Sequence, residues 1–293
     1  MACHRVVWSF ALLVPLFLWQ VEWKTFRDVA LKPKVLATYF VSGVAIGGMW
    51  YLFLWGVSKD YIVETSLGFF INPTLSVLLA VVVLKERLRV WQWISIAMAI
   101  AGLLVVAIAY GKFPWLAISL AVLLTIYAFV KSTAPLNAIE SVTIEMGYLA
   151  IPAVCILVVC EVQGSGAFGH ISATQNALLV LCGVATVVPL LLFAHAAPML
   201  SFSVLGVLQY IGPIMNFIFG VALYHESFET TKLIGFIIVW SGLLVYVVEG
   251  FIVQRAALSS TENTEEENSK MEDVPTTPTF GFEGVKDDAS NAV

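Results

Sequence analysis

Long, nearly uncharged apolar stretches occupy most of this chain, and they constrain its fold more than any other feature. Nine of them have about the length that an α-helix needs to cross a bilayer. Apolar residues make up 60% of the sequence and charged residues only 12%, whereas soluble domains have roughly 25% charged residues. The sequence therefore predicts an all-α, polytopic membrane protein. The predicted spans cover residues 4–21, 35–57, 62–84, 91–110, 113–130, 144–162, 176–196, 200–223 and 232–253.

Positive charge is unevenly distributed between the two sets of connecting loops. One set contains nine Lys and Arg residues and the other contains four. Because the more basic loops of a membrane protein stay in the cytoplasm, we expect the first set to be cytoplasmic and the protein to lie in the plasma membrane. Residues 256–293 are acidic and polar, which is typical of a disordered tail. By alternation, this tail is also expected on the cytoplasmic side.

An internal repeat relates the third and fourth predicted spans to the eighth and ninth. Pro73 matches Pro213, Glu86 matches Glu226, and the Gly-Leu-Leu-Val run at 102–105 matches 242–245, all at one offset of 140 residues. The repeating unit therefore has five helices. Because five is odd, the two copies must insert in opposite orientations, as in many secondary transporters.

The repeat also predicts the division of the chain. Residues 1–110 form the first copy with four of its five helices, residues 111–255 form the complete second copy, and residues 256–293 form the tail. We accordingly expect one helix to be missing before His4; a mature form with nine helices is the alternative.

Several sequence blocks carry a resemblance to a known family. They are HRVVWS at 4–9, GGMW at 47–50, ETSLGFFINP at 64–73, KERL at 85–88, VPLL at 188–191 and QYIGP at 209–213. With them the chain resembles the EamA family of the drug/metabolite transporter superfamily, and within it the RarD-type permeases. The resemblance implies ten helices in two inverted five-helix repeats, both termini in the cytoplasm, and export or exchange of a solute through a central cavity.

Polar and helix-breaking residues stand near the middle of both repeat-related spans. Asn72 precedes Pro73, and Gln209 precedes Gly212 and Pro213. Proline removes a backbone donor and displaces the carbonyl four residues earlier, and the substrate sites of inverted-repeat carriers form near such interruptions. We therefore predict that Asn72 and Gln209 bind substrate and that the Pro and Gly residues act as helix breaks or hinges. The alternative is that proline only kinks a packed helix and the amides bond between helices.

Four further residues are candidates for the lining of the same cavity. Asn216 lies seven residues after Gln209, on roughly the same helix face. Trp50, Phe70 and Tyr210 could provide aromatic surface, although aromatic side chains also serve at membrane interfaces and in helix packing.

Three ionisable residues within the spans are candidates for proton coupling, because charge is costly in a membrane. Glu64 and Glu145 lie at predicted helix starts, where the helix dipole also favours a negative charge. His195 ends the seventh span, where a structural role is the alternative.

These features predict a transporter of a small organic metabolite or drug-like solute, working as an exporter or exchanger in contact with the lipid bilayer. A channel, receptor or scaffold is the alternative. The histidines are isolated at 4, 170, 195 and 225, so we expect no enzyme activity, no metal and no cofactor, and nothing indicates a nucleic-acid partner. Lys and Arg are scarce within the spans, which argues against phosphorylated solutes. The substrate and the oligomeric state are left open.

Overall fold

The computed structural model describes residues 2–166, 168–215 and 230–272. Residues Met1–Tyr246 form one compact unit, and a second unit begins at Val247. The elements within the described ranges are helices: α1 (Ala2–Gln20), α2 (Trp23–Ala30), α3 (Pro33–Ser58), α4 (Ile62–Val82), α5 (Val90–Tyr110), α6 (Trp115–Thr133), α7 (Ala138–Val162), α8 (Ala173–Ala196), a 3-10 turn (Ala197–Met199), α9 (Phe202–Leu208) and α10 (Thr230–Glu272).

Eight helical segments of the described residues are long and apolar enough to cross a membrane. They confirm an all-helical, multi-pass membrane protein, but the count is eight where the sequence predicts nine. The difference lies in the predicted span 200–223, of which the structure describes only an apolar segment, Phe202–Met215, that is too short to qualify. The remainder of that span, together with the predicted cavity residue Asn216, lies outside the described residues.

The two repeat-related prolines have different effects on their helices. Helix α9 ends at Leu208, a turn follows at Gln209 and Tyr210, and helix resumes at residue 211. Pro213 has no N–H to donate to the carbonyl of Gln209, and its ring displaces that carbonyl, which explains the break. By contrast, α4 continues through Pro73 to Val82. The predicted break at Pro73 is therefore wrong: α4 packs between α6 and α9, and these contacts support a continuous helix despite one lost backbone hydrogen bond.

Two capping boxes move helix starts upstream of the predicted spans. The Asn137 side chain accepts from the Glu140 N–H while the Glu140 carboxylate accepts from the Asn137 N–H, so α7 begins at Ala138 and not at 144. Ser172 and Gln175 start α8 in the same way. Such reciprocal caps pair free backbone N–H groups at the start of a helix. A hydropathy profile does not detect them.

Helix α10 continues beyond the last predicted span. The sequence predicts disorder from residue 256, whereas the structure continues the helix to Glu272. This segment contains two alanines and five glutamates, with one leucine and one lysine, and all four residue types have high helix propensity. Charge and low apolar content therefore predicted this segment wrongly. Residues 273–293 lie outside the described part of the chain.

The helices of the first unit pack around α1, α6 and α4. Helix α1 contacts α7 and α8, α6 contacts α3 and α4, and α4 contacts α9. Helix α3 approaches α7 at Gly43, where an added Cβ would lie 3.3 Å from the carbonyl oxygen of Glu145. Small residues allow this close backbone approach.

The repeat is visible in where its helices begin. Helix α4 begins at Ile62 and α9 at Phe202. These two starts are separated by the offset of 140 residues that relates the two sequence copies.

Glycines where α5 and α10 cross reveal how the copies are oriented. A Cβ added at Gly102 would lie 2.6 Å from the carbonyl oxygen of Gly235, and one added at Gly242 would lie 2.8 Å from that of Ser95. Gly242 is the repeat equivalent of Gly102, and Gly235 is the equivalent of Ser95. The Gly102–Gly235 contact and the Gly242–Ser95 contact are therefore the same contact with the two copies exchanged. Such reciprocal contacts define a two-fold relation. The more N-terminal contact residue of α5 meets the more C-terminal one of α10, and the reverse holds for the other pair. The two helices are therefore antiparallel, and the repeat is inverted.

Candidate solute cavity

A cavity of about 420 Å³ lies between helices of both copies. Its volume falls in the range that is usual for small-molecule sites, about 300–1,000 Å³. Five residues predicted from the sequence lie on its wall: Trp50, Asn72, Gln209, Gly212 and Pro213. The remaining lining residues are Arg5, Ile46, Met49, Phe69, Leu124, Tyr127, Ala128, Ala185, Thr186, Pro189, Leu190 and Phe193.

A directed chain of hydrogen bonds crosses from α6 to the break after α9. The Thr125 hydroxyl donates to the Asn72 side-chain oxygen at 3.1 Å, and the Asn72 side-chain nitrogen donates to the Gln209 side-chain oxygen. The chain ends at Nε2 of Gln209, which is buried and has no hydrogen-bond partner among the described residues. The two predicted amides therefore form one unit that joins both copies and leaves N–H donors unpaired at the cavity.

Two of the predicted aromatic residues point elsewhere. Phe70 stacks on Phe236, with ring centroids 4.5 Å apart, and its neighbour Phe69 lines the cavity instead. The hydroxyls of Tyr210 and Thr74 hydrogen-bond at 2.5 Å, away from the cavity wall. Because successive helical residues are about 100° apart, the sequence located the correct turn of α4 but not the correct face.

Arg5 is a cavity residue that the sequence analysis did not identify, although it lies inside the first predicted span, 4–21. Its Nε donates to the Thr186 hydroxyl at 2.6 Å, and its guanidinium lies 4.5 Å from the centroid of the Trp50 ring. Helix α1 begins at Ala2, so Arg5 lies within a membrane span. A charged residue inside a span is a functional candidate by default, and that signal could have identified it.

Glu64 is buried and accepts two hydrogen bonds. The Tyr110 hydroxyl donates to it at 2.5 Å, and so does the backbone N–H of Leu116, at 3.2 Å, in the first turn of α6. A carboxylate at the positive end of a helix is electrostatically favourable. The geometry thus favours the structural alternative for Glu64, as a cap of a neighbouring helix; it is not part of the cavity wall.

Glu145 lies in a fully buried ion pair with Lys131, whose Nζ is 2.7 Å from the carboxylate. Lys131 also donates to the Ser141 hydroxyl at 2.9 Å and lies over the rings of Tyr39 and Tyr127. Tyr127 also lines the cavity. Its ring therefore lies between the Lys131–Glu145 pair and the cavity. Charge counting assigned Lys131 to a loop, because a basic residue at the end of a span usually reaches the interface.

His195 is exposed in the last turn of α8 and does not line the cavity. A second hollow, of about 700 Å³, lies between α1 and α7 and contains none of the predicted site residues. In the described part of the chain, no three His, Cys, Asp or Glu side chains converge as metal ligands would.

Comparison with known proteins agrees with this geometry. The EamA-like transporter family matches residues 1–108. The chain is 34% identical to Protein RarD of Salmonella typhi over 252 residues, which are 86% of each chain. It is 35% identical to an uncharacterized transporter of Vibrio cholerae over 255 residues, 87% of this chain and 84% of that one.

The fold also has a counterpart among solved structures. One that is described as "Crystal structure of protein" matches with a TM-score of 0.59 at 16% identity, over 86% of this chain and 88% of that chain, and this likeness concerns the fold alone. Relatives at more than 30% identity over most of their length establish the family. The chain therefore belongs to the EamA-like transporters of the drug/metabolite transporter superfamily, as a RarD-type permease.

Proposed function

We propose that this transporter is a secondary carrier that exports or exchanges a small organic solute through the cavity beside Asn72 and Gln209. The observation that carries the proposal is the hydrogen-bond chain from Thr125 through Asn72 to Gln209. It spans both inverted copies at the only helix break that the described residues place on the cavity wall. Substrate sites between inverted copies, at interrupted helices, are characteristic of secondary carriers.

Rocking of one copy against the other supplies a mechanism for alternating access. The Asn72–Gln209 bond joins α4 of the first copy to the break of the second, so any relative motion of the copies changes it. A bound solute that accepts from Gln209 Nε2 would bind the two states differently, and only such differential affinity lets a ligand shift a conformational equilibrium. A Cβ added at Gly212 would have no described atom within 4 Å, so the space beside this glycine is open.

A channel is the second candidate function, because a cavity that opened to both sides at once would conduct. A carrier keeps one side closed at a time, so single-channel current steps in planar bilayers would favour the channel over the carrier.

Replacing Asn72 or Gln209 by Ala should reduce solute flux on the order of tenfold to hundredfold, since each change removes one or two hydrogen bonds at the site. The assay measures flux of a panel of amino acids, amines and amphiphilic drugs in proteoliposomes that contain the full chain. Gln163→Ala provides the matched control, because Gln163 is an exposed amide at the end of α7. Flux that equals that of protein-free liposomes for the whole panel would contradict the carrier.

We also propose that the protein lies in the plasma membrane with its basic loops and C-terminal tail in the cytoplasm. In a cysteine-free background, a membrane-impermeant thiol reagent added to intact cells should label Lys112→Cys but not Lys24→Cys. Lys24 and Arg27 lie on α2, and this helix is held by edge-on contacts among Phe17, Trp23 and Phe26, as expected of a segment at the membrane surface. The reverse labelling pattern would contradict this orientation.

A further inference from the structure

We infer that the solute of this cavity is an organic anion with a single negative charge and an apolar, aromatic body, whose charge is bound by Arg5. This inference rests on the proposed carrier function and specifies its substrate class. It is compatible with the sequence-based argument against phosphorylated solutes, because the ligand has a single negative charge.

The first step is the charge balance of the cavity. Arg5 is the only charged residue among the described lining residues, and no Asp or Glu accompanies it there. Its Nε is used by Thr186, while its terminal nitrogens make no hydrogen bond or ion pair within the described chain. An uncompensated guanidinium in a membrane interior is costly. A bound anion removes that cost, so the cavity favours negative over neutral and positive ligands.

The second step is the polarity of the unpaired hydrogen-bonding groups. The chain that starts at Thr125 ends with the donor group of Gln209, whose Nε2 has no partner among the described residues. The hydroxyl of Tyr127, a residue on the same cavity wall, is also buried and has no partner in the described part of the chain. Gln209 Nε2 and the Arg5 guanidinium can only donate, while the Tyr127 hydroxyl can donate or accept. The described lining residues include no carboxylate and no unpaired side-chain amide oxygen. They match a ligand that presents acceptor oxygens, such as a carboxylate or a sulfonate.

The third step concerns the rest of the ligand. Trp50 is held under the Arg5 guanidinium, Phe193 stacks on Tyr127 with centroids 5.9 Å apart, and Phe69 completes an aromatic wall. Aromatic and aliphatic lining around a few placed donors selects an amphipathic ligand. One cation suits one negative charge, whereas a doubly charged phosphate would require a second cation that the described lining lacks.

The test uses three benzene derivatives of similar size and different charge: benzenesulfonate, benzenesulfonamide and phenyltrimethylammonium. Their binding to the purified full chain is measured by thermal shift and tryptophan fluorescence, and their flux in proteoliposomes. We expect the wild type to bind the sulfonate about tenfold or more tightly than the sulfonamide, because charge-assisted hydrogen bonds are roughly twice as strong as neutral ones. Arg5→Gln should lose that preference, and Arg5→Lys should retain part of it.

Arg27→Gln serves as the control, because Arg27 is exposed on α2 and its loss should leave all three affinities unchanged. Unaltered sulfonamide binding by Arg5→Gln shows that the variant is folded. If Arg5→Gln does not fold, the preference of the wild type for the sulfonate over the sulfonamide tests the inference by itself. Tighter wild-type binding of the sulfonamide or the ammonium compound overturns the inference.

The two proposals fail in different ways. If the sulfonamide is moved in a manner that depends on Asn72 and Gln209 while the sulfonate is not preferred, the carrier stands and the anion inference is overturned. If none of the three compounds is bound or moved while members of the wider panel are moved in a manner that depends on Asn72 and Gln209, the carrier stands and the anion inference is overturned. If neither the three compounds nor the wider panel is moved above the level of protein-free liposomes, both proposals are overturned.

Discussion

Lys131→Met is expected to lower the free energy of unfolding by about 3–5 kcal/mol, which is the usual result of removing one partner of a buried ion pair. The change leaves Glu145, which is fully buried, without the amine that lies 2.7 Å away. It also removes the contacts of that amine with Ser141 and the ring of Tyr127. The measurement is unfolding by SDS titration in mixed micelles, compared with the wild type.

The double variant Lys131→Met, Glu145→Leu tests whether the loss of stability comes from leaving one buried charge unpaired. Replacing both partners of a buried pair by apolar residues is often neutral or stabilising, so the double variant should be more stable than Lys131→Met. Glu161→Gln is the surface control: its partner His170 and Glu161 itself are both more than half exposed, and such pairs contribute about 0–1 kcal/mol. A single variant as stable as the wild type would show that the buried pair does not stabilise the fold.

The second large effect is expected at the crossing of α5 and α10. Gly102→Leu should destabilise the protein by about 1–3 kcal/mol, the range for overpacking a close contact. The Cβ alone would lie 2.6 Å from the Gly235 carbonyl oxygen and 2.7 Å from a methyl group of Val239. Backbone atoms cannot rotate away as side chains do, so the helices themselves must separate. The same SDS titration gives the magnitude.

Gly48→Ala is the matched control for this prediction. A Cβ at Gly48 would lie 3.6 Å from a methyl carbon of Leu123, which is an ordinary van der Waals distance. Its stability should therefore stay close to that of the wild type. Gly242→Leu should resemble Gly102→Leu, because the two glycines occupy equivalent positions of the inverted repeat. Unequal effects at these two sites would argue against the two-fold relation at this crossing.

The all-helical, multi-pass architecture was the part of the fold that sequence patterns could predict well. The bends at Ala197–Met199 and at Gln209 fall beside prolines that were visible in the sequence. The uninterrupted course of α4 through Pro73 was not predictable, because the effect of a proline depends on the neighbouring helices. The continuation of α10 to Glu272 was missed because the prediction of disorder used the acidic, polar composition of residues 256–293. That composition says little about the helix propensity of individual residues.

The cavity was predicted in part, and two buried basic residues, one on its wall and one beside it, were missed for the same reason. Asn72 and Gln209 were found because uncharged polar residues are conspicuous in an apolar span. Arg5 and Lys131 were missed, since both lie near span ends, where a basic side chain can reach water. Whether it does so depends on partners far away in sequence: Thr186 and Trp50 for Arg5, Glu145 for Lys131.

By itself, the sequence determined that this chain is a bundle of membrane-crossing helices built from two inverted copies. Apolar length and a repeat offset are properties of the linear chain, and a bilayer admits few structures that satisfy their own backbone hydrogen bonds. Only the tertiary structure decided which side chains face the cavity, with Phe69 in place of Phe70 and Arg5 in addition. Those choices depend on helix rotation and on contacts between distant residues, which the packing of the whole bundle determines.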